Sequence, residues 1–181
     1  MILSFLFAGR KRRKLGEEFF SLVREASRNP DFFGQGKVPD NVDGRFDVLV
    51  LHSFLLMRSL RNSSSDARLD QLVFDAMFRD LDTAVRELGT SDTRVGKKIK
   101  AMAVAYYGRV KHYHDALAKN DLQLLQQALQ RNIFGDEIDP EQIGFCQQLA
   151  SWFIASEKSL GAQSPEQVLD SGAEFAATDF S

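Results

Sequence analysis

Apolar positions recur at helical spacing along most of this chain, and polar breaks divide them into separate segments. Over 15–29, Leu15, Phe19, Leu22, Val23 and Ala26 share one face with Glu17, Glu18, Arg24 and Arg28 between them, which predicts an amphipathic helix ended by Pro30. Phe32, Phe33, Gly34, Gly36, Pro39, Asp40 and Gly44 follow as turn chemistry with two aromatic residues to pin it, so an ordered loop is expected. Over 45–61, Phe46, Val48, Leu49, Val50, Leu51, Phe54, Leu55, Leu56, Met57 and Leu60 cover nearly the whole circumference of a helix. Such a helix belongs in the middle of a bundle.

After a polar break at 62–65, where Ser65 or Asp66 can cap, Leu69, Val73, Ala76, Met77, Leu81, Ala84, Val85 and Leu88 make one wide stripe. Asp82 and Arg86 stand at the supporting i, i+4 spacing, and Gly89 closes the segment. Asp80 falls beside the stripe and requires a cationic partner. Ser91 or Asp92 caps the next helix, which runs to about Lys119. One face carries Ile99, Met102, Ala103, Tyr106, Val110, Tyr113 and Leu117, and the other carries Lys97, Lys100, Val104, Gly108 and Lys111. Asp121 opens a shorter helix to Asn132, closed by Gly135. Asp139 with Pro140 starts a helix through Leu160, and Ser164, Pro165 and Gln167 start a last short one. The sum is an all-α domain of about six or seven helices over 15–170. An apolar-basic tail over 1–14 and a flexible acidic tail over 171–181 flank it.

Composition narrows the classes. The 181 residues suit one domain, and 44% hydrophobic with 27% charged residues is ordinary for a globular protein. A net charge of -2 gives no global attraction to nucleic acid, so DNA is not an expected partner. The lone Cys146 excludes an intrachain disulfide and suits a reducing compartment. No run of 18 apolar residues is present. The apolar stretch over 1–7 followed by Arg10, Lys11, Arg12, Arg13 and Lys14 has the reverse order of a secretory signal. It reads either as an anchor or ribosome contact at an anionic surface, or as a tail whose apolar residues pack on the domain.

The unusual residues gather over 80–109. Lys97, Lys98 and Lys100 sit in opening turns where the helix dipole favours acid, so they form either a solvated face or a docking surface for an anionic partner. Gly108 costs roughly 1 kcal/mol against Ala in mid-helix. Either a neighbouring helix too close for a Cβ or a partner approaching the same face accounts for it. Catalytic patterns are missing from the sequence: no Walker loop, no dinucleotide fingerprint and no nucleophile elbow. His112 and His114 point to different sides of one helix, and His52 lies in the apolar run as a structural histidine. Asp80, Asp82 and Glu87 read as a solvated acidic face. The enzyme alternative is a helical cleft around Asp80, His52 and Arg109. No cofactor is expected.

Several spaced motifs carry a resemblance. Asn29-Pro30 with Phe33, Val38-Pro39-Asp40, Gly44-Arg45-Phe46-Asp47, Leu51-His52, Arg86-Glu87-Leu88-Gly89, Asp92, Val95-Gly96-Lys97-Lys98, Tyr106-Tyr107-Gly108-Arg109 and Leu129 with Arg131-Asn132 resemble the ubiquinol-cytochrome c reductase assembly chaperones. The match spans about Phe20 to Asn132 and weakens beyond Gly135. It implies an all-helical, non-catalytic chaperone that binds newly made cytochrome b and assists assembly of the cytochrome bc1 complex. The resemblance also implies work at the membrane near the ribosome, and a small partner protein as in mitochondrial relatives. His52, Asp80, Glu87, Gly89 and Asp92 are motif residues. Partner binding is expected at Lys97, Lys98, Lys100, Tyr106, Tyr107, Gly108, Arg109 and Lys111. Thr90-Ser91 and Arg58-Ser59-Leu60 depart from the family pattern, which touches partner choice and not fold. The short segment before the domain implies a bacterial member, placed in the cytoplasm and peripheral at the inner membrane.

Overall fold

The most apolar segment becomes the central helix. The computed structural model describes residues 2–64, 66 and 68–180, with side chains from residue 9 onward. Its elements are α1 (Ile2–Ala26), a 3-10 turn (Pro30–Phe32), α2 (Val42–Ser63), α3 (Leu69–Glu87), α4 (Asp92–Ala118), α5 (Leu122–Ile133), α6 (Pro140–Gly161) and α7 (Pro165–Ser171). Fourteen of the 22 residues of α2 are buried, and α1, α3, α4, α5 and α6 all pack around it. Hydroxyls inside the core find acceptors: Ser59 Oγ donates to the Leu160 carbonyl of α6 at 2.7 Å.

Helix ends follow the capping residues. Asp121 accepts from the Leu124 amide, and Asp139 and Ser164 each form a complete capping box with Gln142 and Gln167. Gly89 and Gly135 adopt φ of 76° and 87° where α3 and α5 stop. The segment from the 3-10 turn to α2 is ordered, with Phe32 of the turn and Val38 of the loop buried.

Three expectations change. Residues 2–14 do not form a separate tail, because α1 runs unbroken from Ile2 to Ala26. The apolar side chains of 1–7 and the candidate cap Ser65 lie outside the described residues. The acidic segment over 171–181, expected to be flexible, is seated against α6 through residue 180. Trp152 Nε1 donates to the Ala176 carbonyl at 3.0 Å, the Ala176 amide donates to Ser156 Oγ, and Lys37 Nζ donates to the Phe180 carbonyl at 2.7 Å. Phe175 packs edge-on to His52 and Phe180 lies in the core. Two aromatic side chains in an otherwise small and polar stretch supply the burial that holds it.

The third change concerns glycine. A Cβ on Gly108 would meet nothing within 4 Å, so no neighbouring helix excludes a side chain there. Close approach occurs elsewhere. A Cβ on Gly16 would stand 2.5 Å from the Leu72 carbonyl where α1 crosses α3, and one on Gly44 would collide with the Pro39 carbonyl.

One ion pair ties α2 to α4. Arg109 Nε donates to Asp47 Oδ1 at 2.5 Å, with side-chain exposures of 19% and 4%, and the guanidinium lies over the Phe46 ring. Burial pushes the Asp47 carboxyl up from 3.8 to about 6, against the opposing pull of Arg109. The folded carboxyl therefore holds its proton more tightly than the unfolded one. Its contribution to stability is complete below pH 3.8 and is lost as pH rises through about 6.

Two outcomes follow for unfolding in urea. Gly16→Ala and Gly44→Ala each destabilise by about 1–3 kcal/mol through overpacking, whereas Gly108→Ala stabilises by up to about 1 kcal/mol; a destabilising Gly108→Ala contradicts the open face. Arg109→Met leaves a buried carboxylate and costs about 3–5 kcal/mol at pH 7.5. That cost shrinks at pH 5, where Asp47 is protonated, and shrinks again in the double variant Asp47→Leu/Arg109→Met. A cost equal in single and double variants contradicts the role of the pair.

Candidate functional surface

Helix α4 exposes much of its length. Only Val95, Tyr106, Tyr113 and Ala116 are buried among its 27 residues. Its inner side does the packing that the sequence pattern predicts: Tyr106 lies against Phe74 and Phe78 of α3, and Tyr113 against Phe54 of α2 and Phe153 of α6. The Tyr113 hydroxyl accepts from Asn132 Nδ2 of α5 at 3.1 Å. The other side of α4 packs little: Tyr107 keeps one contact with the Phe74 ring of α3 at 5.7 Å between centroids.

That side carries Lys97, Lys100, Ala101, Val104, Tyr107, Gly108 and Lys111, all exposed. Val104 is 68% exposed and Tyr107 59%. Among the described residues, Lys97, Lys98 and Lys100 make no ion pair, while Lys111 pairs with Asp115 at 2.6 Å. The result is a strip with apolar and aromatic patches between free cations, and with no side chain at Gly108 to hold a partner off. Such a strip suits contact with another macromolecule.

The expected site residues separate. Lys97, Lys98, Lys100, Tyr107, Gly108 and Lys111 are outward. Tyr106 is turned into the core, and Arg109 is engaged with Asp47, so neither contributes to the strip. The alternation follows from helix geometry, since adjacent residues are about 100° apart. In the sequence Asp47 stands only as the last residue of the Gly44-Arg45-Phe46-Asp47 motif, with no role assigned. Its signal is a carboxylate between Phe46 and Val48 at the start of an apolar run, which requires a cation from another helix.

The basic run of α1 is largely spent on internal pairs. Arg12 meets Asp66 at 2.9 Å, Arg13 meets Glu17 at 2.8 Å and Lys14 meets Glu18 at 3.4 Å. Arg10 and Lys11 are exposed and have no ion-pair partner among the described residues. Among the described residues, no helix is long and apolar enough to cross a membrane.

The three groups of the enzyme alternative keep separate company. Asp80 pairs with Arg24 at 2.9 Å, as its place beside the stripe requires. His52 is enclosed by Phe32, Trp152 and Phe175, with Nδ1 bonded to the Val48 carbonyl, and burial lowers its pKa to about 4. Arg109 is held by Asp47. The groove that Asp80 lines includes neither His52 nor Arg109. Cys146 is buried, and burial pushes its thiol up to about 11, away from the reactive thiolate. Of the remaining motif residues, Asp92 joins Asp82 on Arg86 at 2.5 Å and 2.6 Å, closing the α3–α4 corner beside Gly89, and Glu87 is exposed.

Comparison with known proteins agrees with this architecture. The family model described as ubiquinol-cytochrome C chaperone matches residues 35–175. A search of curated proteins returns no significant match. Among solved structures, the crystal structure of the Cbp3 homolog from Brucella abortus is similar, with 31% identity and a TM-score of 0.76, covering 99% of this chain and 98% of that one. The chain belongs to the ubiquinol-cytochrome C chaperone family.

Proposed function

We propose that this protein is a non-catalytic assembly chaperone that binds newly made cytochrome b at the membrane and assists biogenesis of the cytochrome bc1 complex. Family membership over most of the chain is the observation that carries this reading. The outer strip of α4 is the client surface: Lys97, Lys98 and Lys100 attract an anionic segment, while Val104 and Tyr107 bury apolar area beside the gap at Gly108. Arg10 and Lys11 add a contact to an anionic membrane surface or to the ribosome, at the cytoplasmic face of the inner membrane.

The test is affinity purification of the tagged chain from its native membranes, followed by mass spectrometry and a haem stain. Wild type is expected to recover cytochrome b. The triple variant Lys97→Glu/Lys98→Glu/Lys100→Glu, folded by circular dichroism, is expected to recover at least tenfold less. Undiminished recovery removes the α4 strip from the proposal. Ribosomal proteins without cytochrome b contradict the client assignment and favour a general ribosome adaptor.

A further inference from the structure

A second surface lies behind the α4 strip, where the ends of four helices leave a half-open groove of about 290 Å³. One wall is Val42, Phe46 and Leu49 of α2, at i, i+4 and i+7. The other is Leu81, Ala84, Val85 and Leu88 at the end of α3, at i, i+3, i+4 and i+7. Both ladders have the spacing with which a helix face meets another helix. Yet Val42 is 54% exposed and Leu88 is 64% exposed, so among the described residues no helix covers them. Each wall runs about two turns, on the order of 10 Å.

The rim is cationic. Arg24, Arg28, Arg45 and Lys98 line the groove against the single carboxylate of Asp80, in a chain whose net charge is -2. Arg24 is held by Asp80, and Arg45 by Asp40 at 2.6 Å. Among the described residues, Arg28 in the turn after α1 and Lys98 on α4 have no ion-pair partner. An apolar floor between helical walls, with unpaired cations on both sides, defines its occupant by complementarity.

We infer that this groove docks an amphipathic helix of a partner protein, one whose apolar stripe is flanked by aspartate or glutamate facing Arg28 and Lys98. A uniformly apolar transmembrane segment would leave the rim cations unanswered. A lipid acyl chain finds no enclosed tunnel here, whereas the side of a helix fits an open trough anchored at i, i+3 or i+4, and i+7. Lys98 borders both surfaces, but the inference does not depend on the identity of the client at the α4 strip, since Arg28, Val42 and Leu88 belong to the groove alone.

The experiment places a benzophenone amino acid at Val42 or at Leu88 in the full-length chain, expressed in its native cells. The same group at Ile154, exposed on α6, is the control. After irradiation, the adducts are mapped at peptide level. The expected adduct is a segment with apolar residues at helical spacing and carboxylates on its flanks, captured at both groove positions and not at Ile154. A synthetic peptide of that segment, labelled for fluorescence anisotropy, is expected to lose about tenfold in affinity with Arg28→Glu and to bind more weakly as salt rises. Arg28 is exposed and without an ion-pair partner, so its reversal leaves the fold intact, as circular dichroism checks. Adducts to phospholipid, adducts to a uniformly apolar segment, no adduct above the Ile154 control, or an affinity indifferent to Arg28→Glu each overturn the inference. Loss of groove adducts with cytochrome b still recovered through the α4 strip would refute the groove alone.

Discussion

A helix that is apolar around its whole circumference can be stable in water only if other elements cover every side of it. That requirement on α2 organises the protein. Five helices are drawn around one, and the aromatic rings of Phe54, Tyr113 and Phe153 meet where α2, α4 and α6 converge. In a chain of 181 residues this wrapping is a single layer. Each wrapping helix therefore has an inner face fixed by the core and an outer face free of that constraint. On α1 and α3 the outer face is used for ion pairs within the chain, such as Arg24 with Asp80 and Arg79 with Glu17. On α4 it is left with free lysines, Val104, Tyr107 and Gly108.

The Asp47–Arg109 pair determines how that free face is presented. A buried pair adds little net stability once desolvation is counted, but it permits one placement of the two helices and penalises others. Here it locks the middle of α4 to the first turns of α2, so that Tyr107 and Gly108, its neighbours in sequence, are directed outward. His52 works in the opposite pH sense to Asp47. Its folded pKa is lowered to about 4, so its stability is full above 6.5 and is lost as pH falls toward 4. Between those limits the two buried groups oppose each other and flatten the pH dependence of the core.

Much of the fold was legible in local signals. Capping residues at Asp121, Asp139 and Ser164, the glycine stops at 89 and 135, and the all-round apolarity of α2 are properties of short windows, and each appears where the pattern places it. What was not legible depends on residues far apart in sequence. The segment ending at Phe180 looks loose by composition, yet its two phenylalanines find His52, Trp152 and Phe145 across the chain. Gly16 carries no sequence mark of its close packing, and Gly44 reads only as a turn glycine, because the close approach is made by Leu72 and Pro39. The groove between α2 and α3 escaped for the same reason: each wall alone is half of an ordinary amphipathic stripe.

In the proposed function, α4 is the face that meets the client. Hydrogen–deuterium exchange of the purified chain, alone and in complex with cytochrome b, tests it most directly. Protection is predicted to rise over residues 92–111 and to stay unchanged over α6. New protection confined to α6 and the segment after α7, with none on α4, would contradict it.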